Sequence, residues 1–168
     1  MRSPGCPTVS ERSDALAADF ARANGKALAF ARSCTDEQWA RTVAGEGWTV
    51  GVVLHHIAEG HAHGVRWLGE MASGRGVTDT AEDIDRDNAA HAARAGSVGQ
   101  VETVALLQAN GSRLEEMLRG LSDDELDRSA PFGPAGGRSF PTGELAAVPA
   151  RHTLEHLSHT MDAVAGVH

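Results

Sequence analysis

The chain has 168 residues, 41% of them hydrophobic, and a formal net charge of −8. That length and composition suit one globular domain with a proper core. The acidic balance excludes non-specific binding to nucleic acid or to an anionic membrane surface, since both require a basic face. No apolar run approaches the roughly 20 residues of a membrane span, and no early segment resembles a signal peptide. The two cysteines, Cys6 and Cys34, form no metal or disulfide pattern, so the sequence predicts a reducing, cytoplasmic setting.

Residues 1–9, with Pro4, Gly5 and Pro7, read as a loose leader, and residues 10–168 as a single helical domain. Ser10 is a candidate N-cap, and Leu16, Phe20, Ala23, Ala27 and Phe30 recur at helical spacing to about Ser33, which predicts helix one. Thr35-Asp36-Glu37-Gln38 reads as a capping box opening a short helical turn that carries Trp39, before Gly45 and Gly47 break the chain.

Helix two is predicted from about Thr49 to Met71. Val50, Val53, Ile57, Gly60, Gly64, Trp67, Leu68 and Met71 share one arc, the face expected to be buried. His56 sits at the edge of that arc, and His55 is expected to face water. Gly60 and Gly64 weaken the helix, so their presence implies close approach by another helix or room left for a ligand. Residues 74–85 read as a polar loop leading to a weak helical stretch over 87–94 that carries Asn88 and His91. Helix three is predicted over 98–121, with Val101, Val104, Ala105, Gln108, Leu114, Met117, Leu118 and Leu121 at core spacing. Ser122-Asp123-Asp124-Glu125-Leu126-Asp127-Arg128 then echoes Thr35 to Arg41. Each copy precedes a glycine-containing loop and a histidine-bearing helix, which suggests two similar helical hairpins.

Residues 131–141 read as a long irregular loop, Thr142 as the cap of a short helix, and Pro149 as a first-turn residue of the last helix. On that helix Leu154, Leu157, Met161 and Val164 form an aliphatic arc, and Arg151, Ser158 and Asp162 a polar one. At about 100° per residue, His152, His156 and His159 fall on a strip only about 60° wide. Histidines at i and i+4 can chelate one divalent metal because their rings leave the helix side by side. His56 supplies an inward imidazole on another helix. His61, His63, His91 and His168 are expected to make ordinary hydrogen bonds or to lie partly exposed.

His152 to His156 also fits the H-x-x-E-H pattern of inverzincin proteases, with Glu155 as the would-be base. Only twelve residues follow, too few for a carboxylate ligand well downstream. No G-x-S-x-G elbow, phosphate-binding loop or clear strand pattern is present.

Trp48-Thr49-Val50-Gly51-Val52-Val53-Leu54-His55-His56-Ile57 and, much later, His152-Thr153-Leu154-Glu155-His156-Leu157 resemble the DinB-like superfamily. More narrowly they are similar to the mycothiol-dependent maleylpyruvate isomerase N-terminal domain group. The resemblance implies an all-α, four-helix bundle with up-down-down-up arrangement and a His₃ metal site formed by His56, His152 and His156, the three histidines that helical spacing also favours. Leu157, Ser158 and His159 stand where many members carry a basic residue, Gly and Gln, and the second domain of the two-domain mycothiol enzymes is not seen.

Three neutral imidazoles leave a divalent metal its full charge and an open position, at which a thiol or water is activated. The expected function is therefore a metal-dependent S-transferase in which a low-molecular-weight thiol of the mycothiol type attacks an electrophilic small molecule. Zinc or nickel is the expected metal, with iron as a third choice. Glu59 and Glu155 are candidates to orient ligands, and His159 to act as acid or base. The alternatives are a metal-dependent isomerase or hydrolase that uses water, and a non-catalytic metal-binding or stress-response protein. Partners are expected to be small molecules, with a homodimer as the expected assembly.

Overall fold

The computed structural model describes residues 10–166; the leader and His168 lie outside the described residues. Ser10 caps α1 (Glu11–Ser33) by accepting from the Ser13 amide, and its hydroxyl donates to Asp123. Ala17, Phe20, Ala23, Ala27 and Ala31 form the buried stripe of that helix. Thr35 caps the short α2 (Asp36–Trp39) in a reciprocal capping box with Gln38, as the sequence predicts. Next come α3 (Val50–Ala72), α4 (Ala81–Arg94), α5 (Gln100–Arg119), α6 (Asp123–Asp127), the strands β1 (Ser129–Phe132) and β2 (Arg138–Pro141), α7 (Thr142–Ala146) and α8 (Val148–Ala165).

The four long helices, α1, α3, α5 and α8, form a bundle. Helix α5 packs on both α1 and α3, and α8 packs on the same two from the other side, so α1 and α3 lie diagonally across the bundle. One core cluster gathers Phe20, Leu68, Leu114, Leu118 and Leu126. A second gathers Val50, Val53, Leu54, Ile57 and Leu107, with Trp39 and Trp48 against it. Each fully buried aliphatic or aromatic side chain contributes about 1.5–3 kcal/mol, so these two clusters carry most of the fold's stability.

Three local readings are corrected. First, α4 begins at Ala81 rather than near Asp87, because Thr80 and Asp83 form a capping box inside the segment expected to be loop. Second, residues 131–141 are not irregular: β1 and β2 pair antiparallel, Ser129 with Pro141 and Phe132 with Arg138. Third, the buried face of α5 is Thr103, Leu107, Gly111, Leu114 and Leu118. Val101 is 86% exposed, and Ala105 and Gln108 are exposed as well. Gly111 sets this register, since a Cβ there would stand 2.0 Å from the Asn24 amide nitrogen, which donates to the Leu107 carbonyl. No helix among the described residues is long and apolar enough to cross a membrane.

Candidate metal centre

Thr49 caps α3 by accepting from the Val52 amide, so the chain turns into the helix directly after Trp48. One turn and a half along, His56 lies with its ring 5.2 Å from Trp48, edge to face. Helix α8 brings His152 and His156 opposite it. Each of the three histidines offers a ring nitrogen within 4.8 Å of the others. The Nε2 atoms of His152 and His156 are 3.1 Å apart.

The loop between α2 and α3 completes the arrangement. Gly45 and Gly47 adopt positive φ (82° and 70°), and the turn they make aims Glu46 at α8. Oε1 of Glu46 accepts from Nδ1 of His156 at 2.9 Å and from Nδ1 of His159 at 2.9 Å. Burial alone would raise the Glu46 carboxyl. The hydrogen bonds from His156 and His159, with the charge those rings can carry, outweigh it and hold the carboxyl below its ordinary value. Glu46 therefore stays ionised and fixes His156 as the tautomer whose Nε2 lone pair faces His152.

Burial, reinforced by repulsion from His152 and His156, pushes His56 down to about 3. Burial and the neighbouring His156 push His152 down to about 4. Both rings are thus neutral near pH 7, the form in which imidazole donates a lone pair to a metal. Three converging imidazole nitrogens backed by a carboxylate fit a divalent cation of borderline softness, and His56, His152 and His156 would hold it.

The other sequence candidates stand elsewhere. Glu59 pairs with His91 rather than with His56: its Oε2 lies 2.8 Å from Nδ1 of the buried His91. It lines a polar chamber of about 530 Å³ with Asp87, Asn88, Arg94 and Asn110, of which His56 forms part of the wall. Glu155 is exposed and faces a groove between α1 and α8 with Arg22, Lys26 and Arg151, a groove that shares no lining residue with the polar chamber. His159 is half exposed and reaches the site through Glu46.

His55 does not face water. It is buried, stacked on His91 with ring centroids 5.0 Å apart, and its Nδ1 has no hydrogen-bond partner among the described residues. Helix α4 covers that side of α3, and a single helix's periodicity carries no trace of such a cover. His61 is the ordinary hydrogen-bonding histidine the sequence suggests: Nε2 donates to Thr153 Oγ1 at 3.1 Å, and that hydroxyl donates to the Pro149 carbonyl. A Cβ at Gly60 would meet His152 Cε1 at an ordinary 3.5 Å, whereas one at Gly64 would stand 3.3 Å from Leu114 of α5, the close helix approach expected there. Glu46 was missed. The signal available was a lone carboxylate between two glycines just ahead of Trp48, the kind of loop residue that scaffolds use for function.

The DinB superfamily profile matches residues 19–159. Among solved structures, Bacillus subtilis YfiT, described as a probable metal-dependent hydrolase with an unusual four-helix bundle topology, is similar at 17% identity. The match has a TM-score of 0.78 and covers 98% of this chain and 93% of that one. The mycothiol-dependent maleylpyruvate isomerase is similar at 15% identity with a TM-score of 0.70. That match covers 90% of this chain and 60% of the isomerase chain. A mutant of the same isomerase matches at 14% identity over the same shares, also with a TM-score of 0.70. At these identities the likeness is one of fold. No curated protein matches the sequence.

Proposed function

The chain belongs to the DinB superfamily, and from that premise we propose that it is a metal-dependent enzyme joining a low-molecular-weight thiol to an electrophilic small molecule. The observation that supports this most directly is the meeting of His56, His152 and His156 nitrogens within 4.8 Å, with His56 in the wall of an open polar chamber. A divalent cation there supplies positive charge that favours the thiolate over the thiol at neutral pH. Glu46 holds the His156 ring in ligand orientation, and His159 shares that carboxylate at the solvent edge. Glu59, on the chamber wall, takes the thiol proton as sulfur bonds to the electrophilic carbon, and returns it to the atom of the electrophile that receives the displaced bonding pair. Zinc and nickel suit the donor set best, and iron follows. Mycothiol is a candidate thiol because a solved neighbour is mycothiol-dependent. Glu155 is retained only as a charge beside His152, where it favours the protonated ring.

A hydrolytic reaction in the same chamber is the second reading. It is favoured by YfiT, which this chain matches over nearly its whole length, whereas it spans 60% of the isomerase.

Elemental mass spectrometry on wild-type protein beside the His152→Ala/His156→Ala double variant tests the metal centre. One equivalent of metal in the wild type, lost in the variant, is the expected result. Turnover of an electrophile that requires added thiol then selects the first reading, and turnover without thiol selects the second. Absence of metal from both proteins after incubation with zinc and nickel overturns both.

A further inference from the structure

A second cavity meets the polar chamber at the histidines. It is a slot of about 320 Å³ between α3, α4, the hairpin and the start of α8, and His56 and His152 form part of its wall. His56, Gly60, His63 and Asn88 line both cavities, so the two adjoin along one seam. Their furnishing differs sharply. Trp67, Leu68, Ile84, Phe132, Leu145 and Pro149 wall the slot, and no lysine, arginine, aspartate or glutamate lines it. Glu59, Asp87 and Arg94 line the chamber.

The slot's aromatic wall is fixed in place. Trp67 Nε1 donates to Asp79 at 2.7 Å, and Asp79 is also paired with Arg66, so the indole's one polar atom is satisfied away from the slot. Phe132 meets Trp67 edge to face, with centroids 5.6 Å apart. Phe132 is itself held because the next residue, Gly133, donates its amide to the Val77 carbonyl at 2.8 Å. A wall built this way takes up apolar surface without reorganising. Its volume lies at the low end of the about 300–1,000 Å³ typical of small-molecule sites, which suits a single ring or a short branched chain.

Resting on the metal-enzyme reading above, we propose that this slot binds an uncharged, aryl-sized apolar portion of the electrophile beside His56 and His152, while its hydrophilic partner approaches His56 through the polar chamber. Away from the metal edge no lysine or arginine lines the slot, so a carboxylate-rich group would lose its hydration there without an ion-pair partner, and the slot selects against it.

Hydroxamates test the proposal because the hydroxamate group chelates a metal and carries its substituent beside it. Nickel-loaded protein is titrated calorimetrically with benzohydroxamate and with acetohydroxamate. The expected result is roughly tenfold or stronger preference for the aryl compound, reduced toward equality in both Trp67→Ala and Phe132→Ala with acetohydroxamate affinity unchanged. Circular dichroism verifies the fold of each variant. Equal affinities in the wild type, or a preference preserved in both folded variants, overturn the slot while leaving the metal centre intact. Failure of both hydroxamates to bind would instead count against the metal centre. The slot is then judged on metal-free protein by NMR titration with toluene: a saturable shift of the Trp67 indole N–H, absent in Phe132→Ala, supports it, and no shift overturns it.

Discussion

In the proposed metal centre the Glu46 carboxylate sets how His156 presents its ring nitrogen. Glu46 Oε1 holds His156 and His159 at 2.9 Å each, and its side chain is only 13% exposed, so water does not readily replace it. Glu46→Ala leaves His156 free to rotate and to change tautomer, and metal affinity should fall about 10–100-fold. Competition with a chromophoric chelator measures the loss. Glu46→Gln, which keeps an oxygen acceptor but no charge, should fall between the two, whereas His159→Ala should leave affinity near wild type. If His159→Ala weakens binding as much as Glu46→Ala, the orienting role belongs to the Glu46–His159 pair. At this scale the sequence was informative where residues share one helix: the strip of His152, His156 and His159, and the separation of His56 from His55, follow from 100° per residue. It was silent where a ligand's partner comes from a loop, as with Glu46. It misled where a second helix covers the face a periodicity assigns to water, as with His55 beneath His91.

Short elements were harder to read than long ones for physical reasons. Bounds of α1 and α3 follow from caps and apolar spacing over five or more turns, whereas α8 has no side-chain cap and leaves Leu154 and Met161 of its expected aliphatic arc exposed. The hairpin hides because each strand has only four residues and contains Pro131 or Pro141, residues that ordinarily argue against strand. Its pairing is made by a clamp instead: Val77 bridges Phe132, and Gly133 sits so close to the preceding loop that a Cβ would lie 2.2 Å from the Asp79 carbonyl oxygen and 2.9 Å from that of Val77. Backbone faces backbone there, so neither side can yield by rotating a side chain. Gly133→Ala should cost about 1–3 kcal/mol, read as a lowered denaturation midpoint. Because Phe132 precedes it and Asp79 anchors Trp67, the same substitution should widen the slot and weaken aryl binding, with metal content unchanged. The echo of Thr35–Arg41 in Ser122–Arg128 was legible for the opposite reason. Both copies are complete capping boxes, so their chemistry is contained in four consecutive residues.

Across the whole molecule, the buried histidines make stability depend on pH in a stated direction. Burial, with repulsion from other imidazoles, pushes His56 and His61 down to about 3 and His152 down to about 4, against 6.5 for an ordinary histidine. Above pH 6.5 folded and unfolded chains are alike in leaving these rings neutral, and their contribution to stability is complete. As the pH falls through 6.5, the unfolded chain takes up protons that the folded chain refuses, so stability declines by up to about 1.4 kcal/mol per pH unit for each such histidine until the folded values are reached. Glu46 and Asp79, held below the ordinary carboxylate range, act lower down, with their contributions lost only as the pH drops through those depressed values. The urea midpoint of metal-free protein should therefore hold nearly level from pH 7.5 to about 6.5 and fall from there to pH 5. His61→Gln, which keeps a donor for Thr153 but cannot be protonated, should flatten part of that slope, as His61 is no ligand. Saturating metal should raise the midpoint at pH 7.5 by mass action. The benefit should shrink toward pH 5, because protons in the unfolded chain and metal in the folded one compete for His56, His152 and His156. A midpoint of the metal-free protein that stays level across this range would mean that the three rings take up protons inside the bundle, and the neutral donor set on which metal binding depends would have to be abandoned.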